Sequence, residues 1–272
     1  MPWLDLIFLK NPVLRLLDQY GIMNFSSAVA TFAKSNLDAR LAEMALNKSA
    51  GIDAFSQRRA DLLSMFLKAQ TERPDFMTDQ RVLTMAVSMS FAGSETTGIS
   101  LAAVFYYLLK NPRCHHTLMQ ELEEAIKSGK IKDRTSRLVS WSESQTLPYL
   151  DACIKESFRM HPAAGLPLER VTPPQGAEIC GRHVAGGTIV GCSAWVIHRR
   201  PEIYGDDVDY YRPERWLEAC GGKLKEMNAN MFHFGAGSRT CIGKNISLLE
   251  IYKLVPSFLR RFEVCLPWNS FP

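Results

Sequence analysis

The chain has 272 residues, of which 46% are hydrophobic and 22% charged, and its formal net charge is +4. This length suits one large domain or two small ones, and the apolar share suits a packed core. Lys and Arg are scattered with no basic run interleaved with aromatics, which gives no sign of nucleic-acid binding; the mild positive charge suits an acidic partner or an anionic cofactor.

The start, Met1 to Leu17, is apolar in places, but Asp5, Lys10 and Arg15 interrupt it. No run of about 20 apolar residues exists, so neither a signal peptide nor a transmembrane anchor is expected. Two helical faces follow, one from Leu37, Leu41, Met44 and Ala45, the other from Leu62, Leu63, Met65, Phe66 and Leu67. A long helix is predicted from about Asp79 to Lys110, with Thr78 as N-cap and Asn111-Pro112 as its stop. Val82, Leu83, Met85, Ala86, Val87, Met89 and Phe91 give it apolar surface on several sides, which predicts burial nearly all round. The next helix, about Pro112 to Ser128, carries Glu121, Glu123, Glu124 and Lys127 on a surface face and ends near Gly129. Pro148 opens a helix that Pro162 terminates after Met160.

From Gly176 to about Ser193, short apolar runs alternate with glycines and read as small strands. Gly221-Gly222 reads as a loop. A last helix starts just after Cys241, with Leu248, Ile251, Tyr252, Val255 and Leu259 on one stripe and Pro256 as a kink. The fold class is mainly α with a minor β portion.

Seven cysteines are dispersed, and none forms a C-x-x-C pair, which argues against a disulfide framework and a structural zinc site. Most are expected to be small buried hydrophobes. Cys241 differs from the rest. It stands in Phe234-Gly235-Ala236-Gly237-Ser238-Arg239-Thr240-Cys241-Ile242-Gly243, just before a helix. Glycines allow close approach to something flat, and a helix N-terminus with Arg239 nearby favours a thiolate. Such a thiolate is a nucleophile or a metal ligand; the plainer reading is a buried Cys in a Gly-rich loop.

Ala92-Gly93-Ser94-Glu95-Thr96-Thr97-Gly98 lies mid-helix, where Gly costs about 1 kcal/mol and Thr propagates poorly. Such local violations mark functional sites. A widened turn at Gly93, with Glu95 and Thr96 as an acid-and-alcohol relay, is one reading, and a kink with a solvated Glu95 is the other. Glu156 and Arg159 share a helix face, either as an exposed pair or as a buried bidentate staple. Tyr211-Arg212-Pro213-Glu214-Arg215-Trp216 reads by itself as a loop with a cation beside an aromatic.

Together and in this order, these segments resemble the cytochrome P450 family. The pattern F-x-x-G-x-R-x-C-x-G is met at Phe234, Gly237, Arg239, Cys241 and Gly243, and A-G-x-[DE]-T-T from Ala92 to Thr97. E-x-x-R is met by Glu156 and Arg159, and P-E-R-F appears as Pro213-Glu214-Arg215-Trp216, with Trp for Phe. The resemblance spans about Met77 to Phe262. Pro201-Glu202-Ile203-Tyr204-Gly205 and Leu9-Lys10-Asn11-Pro12 resemble fungal members of secondary metabolism and plant-toxin demethylation.

The resemblance implies a single partial domain over 1–272, the C-terminal part of the cytochrome P450 fold. It implies haem b as cofactor, with Cys241 as axial thiolate to the iron. Arg239 and Arg170 would pair with haem propionates, while Phe234, Gly235 and Gly243 shape the cofactor-binding loop. Thr96 and Glu95 would be catalytic, handling protons for dioxygen activation. Glu156, Arg159 and Arg215 would form a structural network under the haem. The implied activity is a monooxygenase inserting one oxygen atom from O2 into a small, apolar organic substrate. The implied electron source is NADPH through a reductase, and full-length relatives sit on the endoplasmic reticulum membrane, facing the cytosol. The chain is roughly half to three-fifths of the family's length, so truncation at both ends is expected. Alternative readings are a non-catalytic helical remnant with impaired haem binding, and a haem-thiolate isomerase or dehydratase.

Overall fold

The computed structural model describes residues 28–49, 61–132 and 137–265; Met1 to Leu17, with Leu9-Lys10-Asn11-Pro12, lies outside them. The chain divides into two compact units, 1–94 and 95–272.

In the first unit, α1 (Ala28–Ser49) and α2 (Leu62–Glu72) precede α3 (Asp79–Lys110), whose early turns belong to this unit. Leu37, Leu67, Met77 and Val82 form its core, with Met44, Leu63 and Phe66 packed against it. Leu41, Ala45, Leu62 and Met65, expected on the inner faces, are exposed. Asp61 caps α2 by accepting the Ser64 N–H at 2.8 Å, and Arg40 Nη2 reaches its carboxylate at 2.8 Å. The Arg40 guanidinium, then the Ser64 amide, hold the Asp61 carboxyl well below the usual carboxylate range.

α3 begins and ends where the sequence predicts. Thr78 Oγ1 accepts from the Arg81 amide at 3.4 Å. The expectation of burial all round is overturned: Phe91 is 51% exposed, and Met85 and Ile99 are exposed too. Within the second unit one stripe is buried, at Thr97, Ser100, Val104 and Leu108. Their spacing is that of a single helix face. Apolar composition by itself does not select which face packs.

The rest of the second unit is α4 (Pro112–Lys127), α5 (Trp141–Ser144), α6 (Pro148–Met160), β1 (Leu168–Val171), β2 (Ala177–Ile179), β3 (Arg182–Val184), β4 (Ile189–Cys192), α7 (Ala194–Ile197), α8 (Pro201–Tyr204), α9 (Glu214–Glu218), α10 (Gly221–Ala229) and α11 (Lys244–Leu259). The core joins Val104 and Leu108 of α3, Leu118 and Leu122 of α4, Leu150 and Ile154 of α6, and Ile251 and Val255 of α11. Each such side chain contributes about 1.5–3 kcal/mol by leaving water. α11 continues through Pro256, and its predicted stripe is buried at Ile251, Tyr252, Val255 and Leu259. Ser128 caps α4, and Gly129 follows at φ +73°.

Glu121 does not belong to a solvated face, as the sequence suggested. Its carboxylate accepts the Tyr149 and Leu150 amides at 2.7 and 2.9 Å and so caps α6. Burial pushes its pKa up, against those two donors. Gly221-Gly222 opens a helix rather than a loop, and so does Glu214 within the segment read as a loop. Among the described residues the strands are two antiparallel pairs, β1 with β4 and β2 with β3; β1 carries no glycine and lies ahead of the Gly176 to Ser193 segment that the sequence marks as strands.

Gly186 lies between β3 and β4, and a Cβ there would stand 2.2 Å from the Pro174 carbonyl oxygen. Backbone cannot yield as a flexible side chain can, so Gly186→Ala is expected to cost about 2 kcal/mol. A thermal melt checks this against Gly165→Ala, whose Cβ would meet nothing within 4 Å. Equal melting temperatures for the two variants would remove the steric argument.

Candidate functional site

The Cys241 loop is built from its backbone. Gly235 and Gly237 take φ of +70° and +67°, which only glycine adopts freely. The Cys241 N–H donates to the Phe234 carbonyl at 2.8 Å and closes the loop on itself. Gly237 to Arg239 form one 3-10 turn, and Gly243 caps α11. Cys241 therefore stands one short step before a helix N-terminus, where unpaired amides favour negative charge.

Five of the seven cysteines are exposed, contrary to the expectation of burial; Cys114 and Cys153 alone are buried, and all seven are free thiols. Exposure by itself does not distinguish Cys241; its neighbours do. Ile242 beside it is 92% exposed, and Arg239 is exposed as well. Phe234 packs edge-on against Phe158 of α6 with centroids 5.8 Å apart, so the loop is anchored to that helix. Leu168 of β1 approaches the loop: a Cβ on Gly235 would lie 3.5 Å from its Cδ1, and one on Gly237 would meet nothing within 4 Å. Strand pleating puts Arg170 on the same face of β1 as Leu168. Arg170 is exposed, with Nη1 on the Glu169 carbonyl at 2.6 Å.

An exposed soft sulfur, an open glycine loop, uncovered apolar side chains and two guanidinium groups suit a flat apolar macrocycle that carries carboxylates and an iron. Among the described residues no group of three or more His, Cys, Asp or Glu is placed to hold a metal ion by itself.

α3 is an unbroken α-helix through Gly93, so the widened turn is not seen. Glu95 and Thr96 are both exposed on it. The Thr96 carbonyl accepts from Ser100 Oγ at 2.8 Å. Thr97, which sequence reasoning passed over, is buried and donates to Ser247 Oγ of α11 at 3.2 Å. That bond ties this turn of α3 to the helix that follows Cys241.

Glu156, Arg159 and Arg215 are brought together and buried, with Glu156 and Arg159 at 0% exposure. Arg159 grips Glu156 bidentately at 2.9 and 2.8 Å, and Arg215 Nε reaches Glu156 Oε1 at 2.9 Å. Trp216 Nε1 and the Arg212 amide complete the carboxylate at 2.9 and 3.0 Å. Trp216 thus has a polar task that Phe in its place would lack. Asp207 neutralises the second guanidinium at 2.7 Å. Burial opposes its ionisation, yet Arg215 and Arg212 hold its carboxyl low. Asp207 and Trp216 carry no spacing signal that would pair them with Glu156 in the sequence.

The sequence model of the family described as Cytochrome P450 matches residues 1–271, beyond the span the motifs marked. A "Cytochrome P450 monooxygenase" of Aspergillus terreus is 42% identical over 264 residues, covering 97% of this chain and 51% of that protein. Cytochrome P450 monooxygenase cicH of Emericella nidulans is 42% identical over 266 residues, covering 98% of this chain and 50% of its own length. Pisatin demethylase of Fusarium vanettenii is 46% identical over 176 residues, 64% of this chain and 32% of that protein. The chain thus spans about half the length of the first two.

Proposed function

Since the chain belongs to the cytochrome P450 family, we propose that it binds haem b through the Cys241 thiolate and is the haem-binding part of a fungal monooxygenase. The reaction class is insertion of one oxygen atom from O2 into a small, apolar organic substrate of secondary metabolism. Electrons come from NADPH through a reductase, and the whole enzyme sits on the endoplasmic reticulum membrane. Among the described residues no helix is long and apolar enough to cross a membrane. The observation that carries the reading is an exposed Cys241 in a loop closed by its own N–H, at the head of α11.

Within this reading the chain's residues divide the work. Cys241 would supply the sulfur ligand to the iron, from its place just ahead of α11. Arg239 and Arg170 would bind the propionate carboxylates by charge-assisted hydrogen bonds. Phe234, held by Phe158, would pack near the sulfur and tune the iron, while Gly235 and Gly243 would leave room for the macrocycle. The iron macrocycle supplies dioxygen chemistry when bound. Glu95 donates and Thr96 relays protons from solvent; their exposure on α3 suits that exchange. Glu156, Arg159 and Arg215 hold α6 to α9 beneath the loop without taking part in chemistry.

The test is to add hemin to the purified chain, reduce it under carbon monoxide and record the Soret band. A red-shifted, thiolate-type band is expected, lost in Cys241→Ala and kept in Cys220→Ala. A stable fold that takes up no hemin, or a thiolate band that survives in Cys241→Ala, overturns the proposal; the former favours a non-catalytic helical module. Product formed without O2 and NADPH would instead assign an isomerase or dehydratase.

A further inference from the structure

His198 is the C-cap residue of α7 and is completely buried. Its ring makes two hydrogen bonds whose senses are fixed by their partners. The Phe232 backbone N–H can only donate, so His198 Nε2 accepts from it at 2.8 Å. A neutral ring that accepts at Nε2 carries its proton on Nδ1. That nitrogen faces the Arg159 carbonyl, which can only accept, at 3.2 Å. Arg159 returns the contact, donating from Nη1 to the His198 carbonyl at 3.0 Å.

Two further hydrogen bonds lead from Phe232 into the cysteine loop. The Phe232 carbonyl accepts the Gly235 N–H at 2.9 Å, and the Phe234 carbonyl accepts the Cys241 N–H at 2.8 Å. The ring itself is boxed by Tyr204 and His233, with centroids 6.2 and 6.3 Å away. His198 is therefore the one side chain seen to join the buried Glu156–Arg159–Arg215 cluster to the backbone where the loop begins, among the described residues.

We infer that His198 is a positioning residue: by accepting the Phe232 N–H while donating to the Arg159 carbonyl, it registers the Cys241 loop against the buried ion cluster. It touches neither sulfur nor cofactor. The part concerning sulfur placement rests on the haem-thiolate reading above; the hydrogen-bond relay does not. A structural histidine that merely fills space would show neither a fixed tautomer nor a dependence of the loop on its acceptor.

The test uses the whole 272-residue chain. In wild type, imidazole 15N shifts are expected to report the Nδ1–H tautomer, with scalar coupling across the hydrogen bond from the Phe232 amide to Nε2. Two variants separate the ring's halves. His198→Gln can place a carbonyl oxygen where Nε2 accepts, whereas His198→Asn can keep its NH2 donor towards Arg159 but is too short for its carbonyl oxygen to reach the Phe232 N–H as well. Amide exchange without hemin is expected to quicken at Gly235 and Cys241 in His198→Asn alone, with Ile251 and Val255 in α11 unchanged. With hemin, His198→Asn is expected to lose the thiolate-type band and shift the reduction potential, and His198→Gln to keep both. An Nε2–H tautomer in wild type, or wild-type exchange at Gly235 and Cys241 in His198→Asn, overturns the inference. Should His198→Asn not fold, quickened exchange at Cys241 in His198→Gln overturns it instead. Failure of wild type to show a thiolate band would reject the haem reading while the exchange pattern still decides the relay.

Discussion

Glu156→Ala is expected to lower the melting temperature by roughly 10 °C, or to leave the chain insoluble. The carboxylate stands between two guanidinium groups in a site with 0–3% exposure. It also accepts from Trp216 and the Arg212 amide. Removing it leaves two buried positive charges with Asp207 as the carboxylate beside them and backbone carbonyls as further acceptors, among the described residues. Breaking such a cluster from one side costs about 3–5 kcal/mol. Glu156→Gln keeps shape and part of the bonding, so it should fall between wild type and Glu156→Ala. A melt of Glu156→Ala within about 2 °C of wild type would mean the cluster contributes little to folding. The same measurement on Arg113→Ala gives a surface reference. That guanidinium is largely exposed although it pairs with Glu214 at 2.6 Å, and such pairs are worth about 0–1 kcal/mol.

Stability is expected to fall as pH drops from about 6.5 towards 4, and His198→Gln to flatten that fall. Burial pulls His198 down to about 4, with the nearby charges of Arg159 and Arg199 adding to it against the Arg159 carbonyl bond. Burial likewise takes His233 down to about 3, helped by His198 and Lys244. Both groups lie below the ordinary histidine value in the folded chain. Between the two values the unfolded chain binds more protons, so acid favours unfolding. Their contribution is whole above pH 6.5 and declines as pH falls towards the folded values. At pH 4 the loss from His198 is about 3 kcal/mol. Glu214 adds a later loss. Burial opposes its charge, but Arg113 and Tyr149 hold it at about 2, so its contribution disappears as pH falls below the ordinary carboxylate range. Melting temperatures from pH 8 to 4, for wild type and His198→Gln, check the sign. Parallel profiles for the two chains would show that His198 is not a source of the acid sensitivity.

His233 belongs to the same layer. Its Nδ1 is buried without a hydrogen-bond partner among the described residues, and its ring stacks on Phe158 at 4.4 Å and lies 4.3 Å from Phe234. The residue just ahead of the cysteine loop is thus apolar in its packing, although the sequence presents it as a titratable group.

Much of the fold could be read because the signals are local. Pro112, Pro148 and Pro162 bound helices through their own geometry, and the predicted limits of Asp79–Lys110 and Pro148–Met160 are those observed. The stripe of α11 follows from one period. The short helices α7 to α10 have no such period, since four to nine residues cannot display one, and no side chain caps their N-termini among the described residues.

The candidate site divides in the same way. By itself the sequence determined the cysteine loop, because glycine φ freedom, a helix start and a nearby arginine are properties of consecutive residues. It also determined membership of the family, through four motifs in order. The tertiary structure decided that Glu156 and Arg159 are a buried staple and not an exposed pair, because their surroundings come from Arg215 and Trp216, about sixty positions on. It decided that Glu121 caps a helix, that Thr97 rather than Thr96 meets Ser247, and that His198 joins Arg159 to Phe232. Each of these depends on a polar group losing water and finding one particular partner far along the chain, and no local pattern encodes that pairing.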